Sequence, residues 1–524
     1  MLRFSGGPIV TMDPDDPVAG EVVTRGHYIV WVGRRGDSPP EYQRARAIDL
    51  RGCLLLPAFS DAHTHFLAFA RSLEAINLRG ARTLRAALAV VRNHARSLAL
   101  RRDWVIGHGY DPNLWGDERP SSGALDRLLP DRPLAIWSHD EHSLWANSEA
   151  LRRAGVNRQT PDPPGGRIER DAEGEPTGVL LEMACRLVWD KIPDPPAAQA
   201  ERLIACAQVS AHEVGVAAIH DMGEAATLGA FAALRDKGRL RLRLWKSISL
   251  SHLESAIALG LRSGLGDRWV KIGAIKMFLD GALGSRTAWM YRPYTGDRAN
   301  YGICRMEKQE FADAVRRAAA HGLSVCVHAI GDAAVGQAID MLVRYQLRFP
   351  RHQPPRIEHL QLIDPKDLRK LAGSRIIASM QPSHLLTDRD YVDRHWGKRG
   401  RHAFAVRTLW NQGVPMAFGS DVPIERLSPI EGIGAAVHRA RPGDRRGSWY
   451  PRQCLSVWEA VWGFTAGAAL AAGDGERRGR IAPGFLADLV VLDHNIFAVD
   501  PSKIFAARVM MTVVDGECVY ERRG

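Results

Sequence analysis

A chain of 524 residues with 45% hydrophobic and 25% charged side chains has the size and balance of a folded enzyme built as one large domain plus a smaller module, or as two to three domains, and not of a disordered chain. Its formal charge of +11 raises the question of a nucleic-acid partner, which needs lysine and arginine gathered in patches with interleaved aromatics. Here the arginines are scattered through helical stretches beside acids and only ten of the 70 basic residues are lysine, so nucleic-acid binding is not expected.

Residues 1–56 alternate short strand-like runs (GPIVTMD, EVVTRGHYIVWVG, CLLLPA) with turn residues, and residues 480–524 do the same in GRIAPGFLADLVVLD and VMMTVVDGECVYERR. Two strand-rich ends around a different middle predict one small β-sandwich assembled from both. The stretch LLLPAFSDAHTHF then carries an apolar run into Asp-Ala-His-Thr-His, which sets His63 and His65 at the carboxyl end of a predicted buried strand. Residues i and i+2 of a strand share a face, so the two imidazoles can bind one metal ion with little rearrangement. An isolated HxH is weak evidence, and the reading depends on further ligands.

Residues 67–210 hold a helix (TLRAALAVVRNHARSLAL), the strand candidates DWVIGHGYD and PLAIWSHDEHS, and the Pro/Gly-rich PDPPGGRIERDAEGEPTG. They read as an insertion subdomain over the active site, a lid or substrate wall. From about residue 210 the strands VAAIHDM, RLRLWKSISL, IGAIKMFLDG, LSVCVHAIG, RIEHLQL, IIASMQPS and VPMAFGSD alternate with helices such as LESAIALGLRSG, KQEFADAVRRAAAHG, AVGQAIDMLVRYQLRF, PKDLRKLAG and AFAVRTLWNQG, several closed by glycine. With the His63 strand this makes eight, and predicts an α/β fold, a (β/α)8 TIM-type barrel over 57–479, with its site at the carboxyl ends of the strands.

Those ends offer Lys276, His328, His359 and Asp421. Singly, a histidine after an apolar strand reads as a core residue and an Asp in GSD as a helix cap or turn former. Together with His63 and His65 they place six metal-competent groups at one rim. Lys276, between Ile275 and Met277, is costly to bury charged. An arginine-rich chain that keeps lysine here points to amine chemistry, since a neutral lysine can add carbon dioxide and become a carbamate able to bridge two cations. The plain alternative is an ion pair with Asp280. The seven cysteines, odd in number and without a CxxC pair, read as buried reduced thiols. The opening MLRFSGGPIVTMDP lacks the basic start and apolar core of a signal peptide, and no apolar run reaches the length of a membrane span, so a cytoplasmic protein without a membrane partner is expected.

The HTH pair, Lys276, His328, His359 and Asp421, on a barrel carried by a split sandwich, resemble the amidohydrolase superfamily. The stretches PPGGRIERDAEGEPTGVLLE, KMFLDGALGSRTA, VHAIGDAAV and FGSDVPIE resemble amidohydrolase family 3, the YtcJ-like and N-substituted formamide deformylase-like group, over essentially the whole chain. One departure is WSHDEHSLWANS, where relatives more often carry Arg-Asp-Gly-His; His139 and Glu141 flank Asp140 and His142 keeps the group's histidine, which bears on the substrate more than on the chemistry. The resemblance implies a divalent metal, zinc first, one or two per chain. His63 and His65 would hold one, His328 and His359 the other, and carboxylated Lys276 would bridge them. Asp421 would bind the first metal and act as catalytic proton acceptor for an activated water, and His142 would hydrogen-bond the substrate. The function so implied is hydrolysis of a non-peptide amide-type C–N bond in a small molecule, an N-substituted amide or formamide, by a chain for which a homo-oligomer stays open. A mononuclear deaminase of an amino-heterocycle and a non-catalytic scaffold on the same fold are the alternatives.

Overall fold

The computed structural model describes residues 1–97, 104–138, 143–163, 166–223, 225–348 and 353–522. Two compact units are present, Met1–Phe69 with Ala200–Gly524, and Ala70–Gln199.

In the first unit eight strands lie side by side in chain order: β1 (Phe59–Thr64), β2 (Val216–Asp221), β3 (Arg243–Ser249), β4 (Val270–Phe278), β5 (Val325–Ala329), β6 (Arg356–His359), β7 (Ile377–Met380) and β8 (Met416–Phe418). All but β4 fall within predicted runs, β4 beginning two residues before IGAIKMFLDG, and β1, β2, β6, β7 and β8 are buried at every residue, as strands covered on both faces must be. The ring closes just past β8. Thr64 bridges in parallel to Val422, the Asp421 N–H donates to the His63 carbonyl at 2.8 Å, and the His65 N–H donates to the Val422 carbonyl at 2.8 Å. Gly419 permits this approach, because a Cβ there would stand 2.4 Å from the His63 nitrogen and 2.7 Å from Asp61 Oδ1. The fold is the expected TIM-type barrel.

The predicted helices occupy Leu253–Ala258, Lys308–Ala320, Asp332–Arg348, Pro365–Leu371 and Val406–Asn411. Gly260, Gly322, Gly373 and Gly413 follow four of them at φ 67°, 75°, 73° and 68°, the left-handed backbone that ends a helix without strain only at glycine. The helix His384–His395 was not predicted. It buries only Leu385 and Val392, too thin an apolar stripe to show in the sequence.

Both chain ends join in one eight-stranded sheet, in which Leu54–Pro57 pairs antiparallel with Leu489–Leu492. As expected, strands of both ends form one small β domain, hydrogen-bonded in a continuous path around a core that includes Phe4, Ile9, Val22, Leu55, Leu489 and Val513. Arg243 of β3 ties the barrel to this sheet: buried on the ring of Trp269 (4.7 Å), it donates to both oxygens of Asp488 at 2.8 Å and to Asp515 Oδ1 at 2.9 Å.

The second unit is built on a six-stranded sheet in the order Gly166–Arg170, Pro176–Glu182, Ser143–Ala146, Leu134–Ser138, Val105–Tyr110, Ile76–Asn77. Alternate residues serve opposite faces: Leu134, Ile136 and Trp145 enter one apolar cluster, Ala135, Leu144 and Ala146 another. The first two strands occupy the Pro/Gly-rich PDPPGGRIERDAEGEPTG stretch and the four residues after it, where no strand was predicted. They form a hairpin around Asp171, whose Oδ1 accepts from the Glu173 and Glu175 amides at 3.1 and 2.8 Å.

The cysteines are all free, but not all are buried. Cys185 and Cys326 are, whereas Cys206 and Cys518 are exposed, because their neighbours on the helix and edge strand present that face to solvent. Among the described residues no helix is long and apolar enough to cross a membrane.

Candidate metal centre

The carboxyl end of β1 is held from below before it presents any ligand. Asp61 Oδ1 accepts from the His63 amide at 3.1 Å and the Ser420 amide at 2.9 Å. Asp221 Oδ1 accepts from the Phe66 amide at 2.8 Å, while its other oxygen takes the Lys246 ammonium at 2.6 Å. The backbone is therefore pinned on both sides of His65. Burial raises the Asp61 carboxyl to about 7 despite these amides.

His63 is buried with Nδ1 2.7 Å from Glu358 Oε2. Burial alone would raise the Glu358 carboxyl, but Arg356, then His63 and Lys276, hold it well below the usual range. An ionised carboxylate can only accept, so Nδ1 of His63 carries the proton and Nε2 turns its lone pair toward the barrel mouth. Arg356 approaches Glu358 as an ion pair (Nε to Oε1 2.9 Å) without the alignment of a hydrogen bond there. Its remaining N–H groups reach Glu358 Oε2 at 3.3 Å, the Ala62 carbonyl at 2.6 Å, Ser379 Oγ at 2.8 Å and His220 Nδ1 at 2.7 Å. His359 is set in the same way: Nδ1 lies 2.8 Å from Gln381 Oε1, and Gln381 Nε2 donates to the Ser379 carbonyl at 3.3 Å, which fixes the amide's orientation. His328 points the other nitrogen away, with Nε2 3.0 Å from the Gly281 carbonyl, and so keeps Nδ1 as its free donor atom.

Asp421 lies at the centre. Its Oδ1 is 3.5 Å from His63 Nε2 and 3.4 Å from His65 Nε2, and its Oδ2 is 3.7 Å from His384 Nε2. Asp421 Oδ1 and His384 Nε2 are buried atoms with no hydrogen-bond partner among the described residues. The rings of His63 and His328 stand 4.9 and 4.6 Å from that of His359. Asp421 and His359 both sit at positive φ, 60° and 71°, a conformation costing roughly 1–3 kcal/mol each away from glycine and one that clusters at functional sites.

Lys276 is buried and forms no hydrogen bond or ion pair among the described residues; its amine lies 5.0 Å over the Phe278 ring. The alternative partner, Asp280, is already engaged by the amides of Trp289, Ile330 and Gly331 at 3.0, 3.1 and 2.8 Å. The Lys276–Asp280 pair is therefore not formed.

Burial, reinforced by the Lys276 charge, depresses His63 and brings His328 down to about 3, and burial with the neighbouring His328 and His63 depresses His359 well below the usual range. At neutral pH these rings are neutral ligands with no proton to displace. Burial would raise Asp421, but the surrounding His63, His65, His359 and His384 outweigh it and keep the carboxylate ionised. An anionic oxygen without a donor, faced by imidazole lone pairs, fits a divalent cation of the kind that prefers nitrogen and carboxylate ligands, zinc among them. Donor atoms of His63, His65 and Asp421 lie within 4.8 Å of one another, and so do those of His359, His384 and Asp421.

The predicted His63, His65, Lys276, His328, His359 and Asp421 thus meet at one mouth. His142, with His139 and Glu141, lies outside the described residues. Sequence reasoning missed His384, Glu358 and Gln381. The run read as strand, IIASMQPS, ends at the residue before His384, and Glu358 stands inside RIEH, beside His359.

The pattern of the amidohydrolase family, Amidohydro_3, matches residues 46–520. YtcJ of Bacillus subtilis, named as an amidohydrolase, is 32% identical over 488 residues, 91% of this chain and 90% of that protein. N-substituted formamide deformylase of Arthrobacter pascens is 28% identical over 544 residues, 100% of this chain and 99% of that one. Among solved structures, an uncharacterised metal-dependent hydrolase of Pyrococcus horikoshii superposes with a TM-score of 0.81 at 26% identity, covering 95% of this chain and 99% of that one. Matched over nearly its whole length, the chain belongs to the amidohydrolase family.

Proposed function

We propose that the protein hydrolyses a non-peptide amide-type C–N bond of a small molecule, an N-substituted amide or formamide, with one or two divalent cations, zinc first, at the barrel mouth. The observation that carries this is Asp421, a buried carboxylate with one oxygen toward His63 and His65, the other toward His384, and no donor for Oδ1. The likeness to a deformylase along its full length supports the bond type.

His63, His65 and Asp421 would hold one cation, and His328 and His359 a second, with Lys276 as a carbamate between them. A divalent cation bound there supplies Lewis acidity, polarising the scissile carbonyl and lowering the pKa of water. The chain's own residues do the rest. Asp421 accepts the proton of the attacking water and returns it to the nitrogen as the C–N bond breaks and the C–O bond remains, so an amide yields a carboxylic acid and an amine. Glu358, Gln381 and the Gly281 carbonyl fix the ring orientation of His63, His359 and His328, so no ligand has to reorganise during the reaction.

The test is a screen of zinc-loaded protein against formamides, acyl amides, cyclic amides and amino-heterocycles. Amine release from an N-substituted amide or formamide supports the reading. Ammonia release from amino-heterocycles alone, with one metal per chain, makes the protein a deaminase and overturns it.

A further inference from the structure

We propose that His384 is a ligand of the second cation, sharing it with His359 and with the Oδ2 oxygen of Asp421. This rests on reading the barrel mouth as a metal centre, and adds to it a residue outside the six strand-end groups.

Three donor atoms converge here within 4.8 Å, one each from His359, His384 and Asp421. The His384 side chain is 12% exposed, and its Nε2 is closed to solvent and without a hydrogen-bond partner. At 3.7 Å from Asp421 Oδ2 it is too far for a hydrogen bond, yet the two atoms are spaced as two ligands of one ion with metal bonds of about 2.0–2.2 Å. The ring is also pre-positioned. The His384 amide donates to the Gln381 carbonyl at 3.1 Å, and the side chain of that same Gln381 orients His359; buried Leu385 anchors the following turn. Gln381 therefore orients the His359 ring and holds the backbone from which His384 projects, and the two imidazoles lie nearly parallel with centroids 6.2 Å apart. Asp421 would then serve two cations, Oδ1 the one at His63 and His65, Oδ2 the one at His359 and His384.

The experiment measures zinc equivalents per chain and the affinity of each site by competition with a chromophoric chelator, in wild type, His384→Ala and His384→Gln, with folding checked by circular dichroism. The glutamine variant keeps a polar amide near the Nε2 position and guards against loss of fold, while its neutral amide oxygen is a far weaker zinc ligand than imidazole. Wild type is expected to hold two equivalents, and both variants to lose the second or bind it at least a hundredfold more weakly, beyond the ten- to hundredfold loss typical of groups that only orient a ligand. A smaller change in either folded variant overturns the proposal. So does a single equivalent in wild type, which leaves the one-metal form of the proposed function standing. Wild type that binds no zinc sinks that function as well.

Discussion

Glu358 Oε2 and His63 Nδ1 are 2.7 Å apart, with both side chains closed to solvent. The contact joins the ligand of one strand to the carboxylate of another five strands further along the chain, and through Arg356 it reaches His220 on β2 and Ser379 on β7. The candidate metal centre is in this way keyed to a buried polar network inside the barrel.

Glu358→Gln keeps the shape but removes the charge that faces both His63 and Arg356. Zinc affinity is expected to fall roughly ten- to hundredfold, as for other outer groups that orient a ligand. Stability should fall by about 3 kcal/mol or more, because Arg356 stays buried without its counter-charge. Chelator competition and urea melts read the two effects, and unchanged zinc affinity would show that His63 is oriented by something else.

Lys276 has no counter-ion among the described residues, which is consistent with the proposed carbamate. Lys276→Ala is expected to lose the second zinc and activity, with part of both restored by added acetate or propionate filling the bridging position. Lys276→Arg should not rescue, since guanidinium stays cationic and cannot become an oxygen ligand. Full metal content and activity in Lys276→Arg would make the residue a simple positive charge.

The Asp488 carboxyl would be raised by burial, but Arg243 outweighs this and holds it below its ordinary value. A carboxyl depressed in the folded state adds stability that is fully present above its unfolded pKa of about 3.9 and is lost as pH falls through the folded value. The barrel's attachment to the end-strand sheet should therefore weaken below about pH 4. Asp488→Asn should cost about 3 kcal/mol at pH 7, with Asp515 remaining as a partner for Arg243, and should flatten the loss of stability in acid. Urea melts from pH 7 to 3 in which wild type and variant run parallel would rule out this pair as the acid-sensitive link.

The barrel was legible because each strand is an apolar run bounded by turn residues, and because a strand's last inward residue must face the mouth. The rule gives His63, Lys276, His328 and His359, and carried a few residues past the strands it gives His65 and Asp421, one and three residues beyond β1 and β8. It cannot find His384, which stands on the first turn of a charged helix whose burial rests on two residues. Nor can it separate Glu358 from any polar neighbour, since what makes Glu358 matter is a contact with residue 63, far away in sequence. That the two chain ends join was expected from their strand-rich pattern, whereas the register that pairs Leu54–Pro57 with Leu489–Leu492 is a relation between distant segments and was not legible. The cysteines misled because solvent exposure depends on which face of an element meets a neighbour.

The most direct test of the metal centre is the zinc content of purified protein after dialysis against zinc buffer, in wild type, His63→Ala/His65→Ala and His321→Ala. His321 is exposed at the end of the helix Lys308–Ala320, its Nδ1 2.9 Å from the Arg317 carbonyl. Wild type and His321→Ala should carry the same one or two equivalents and the same activity, while the double variant loses at least one equivalent and all activity. Equal zinc in the double variant and wild type would contradict the account.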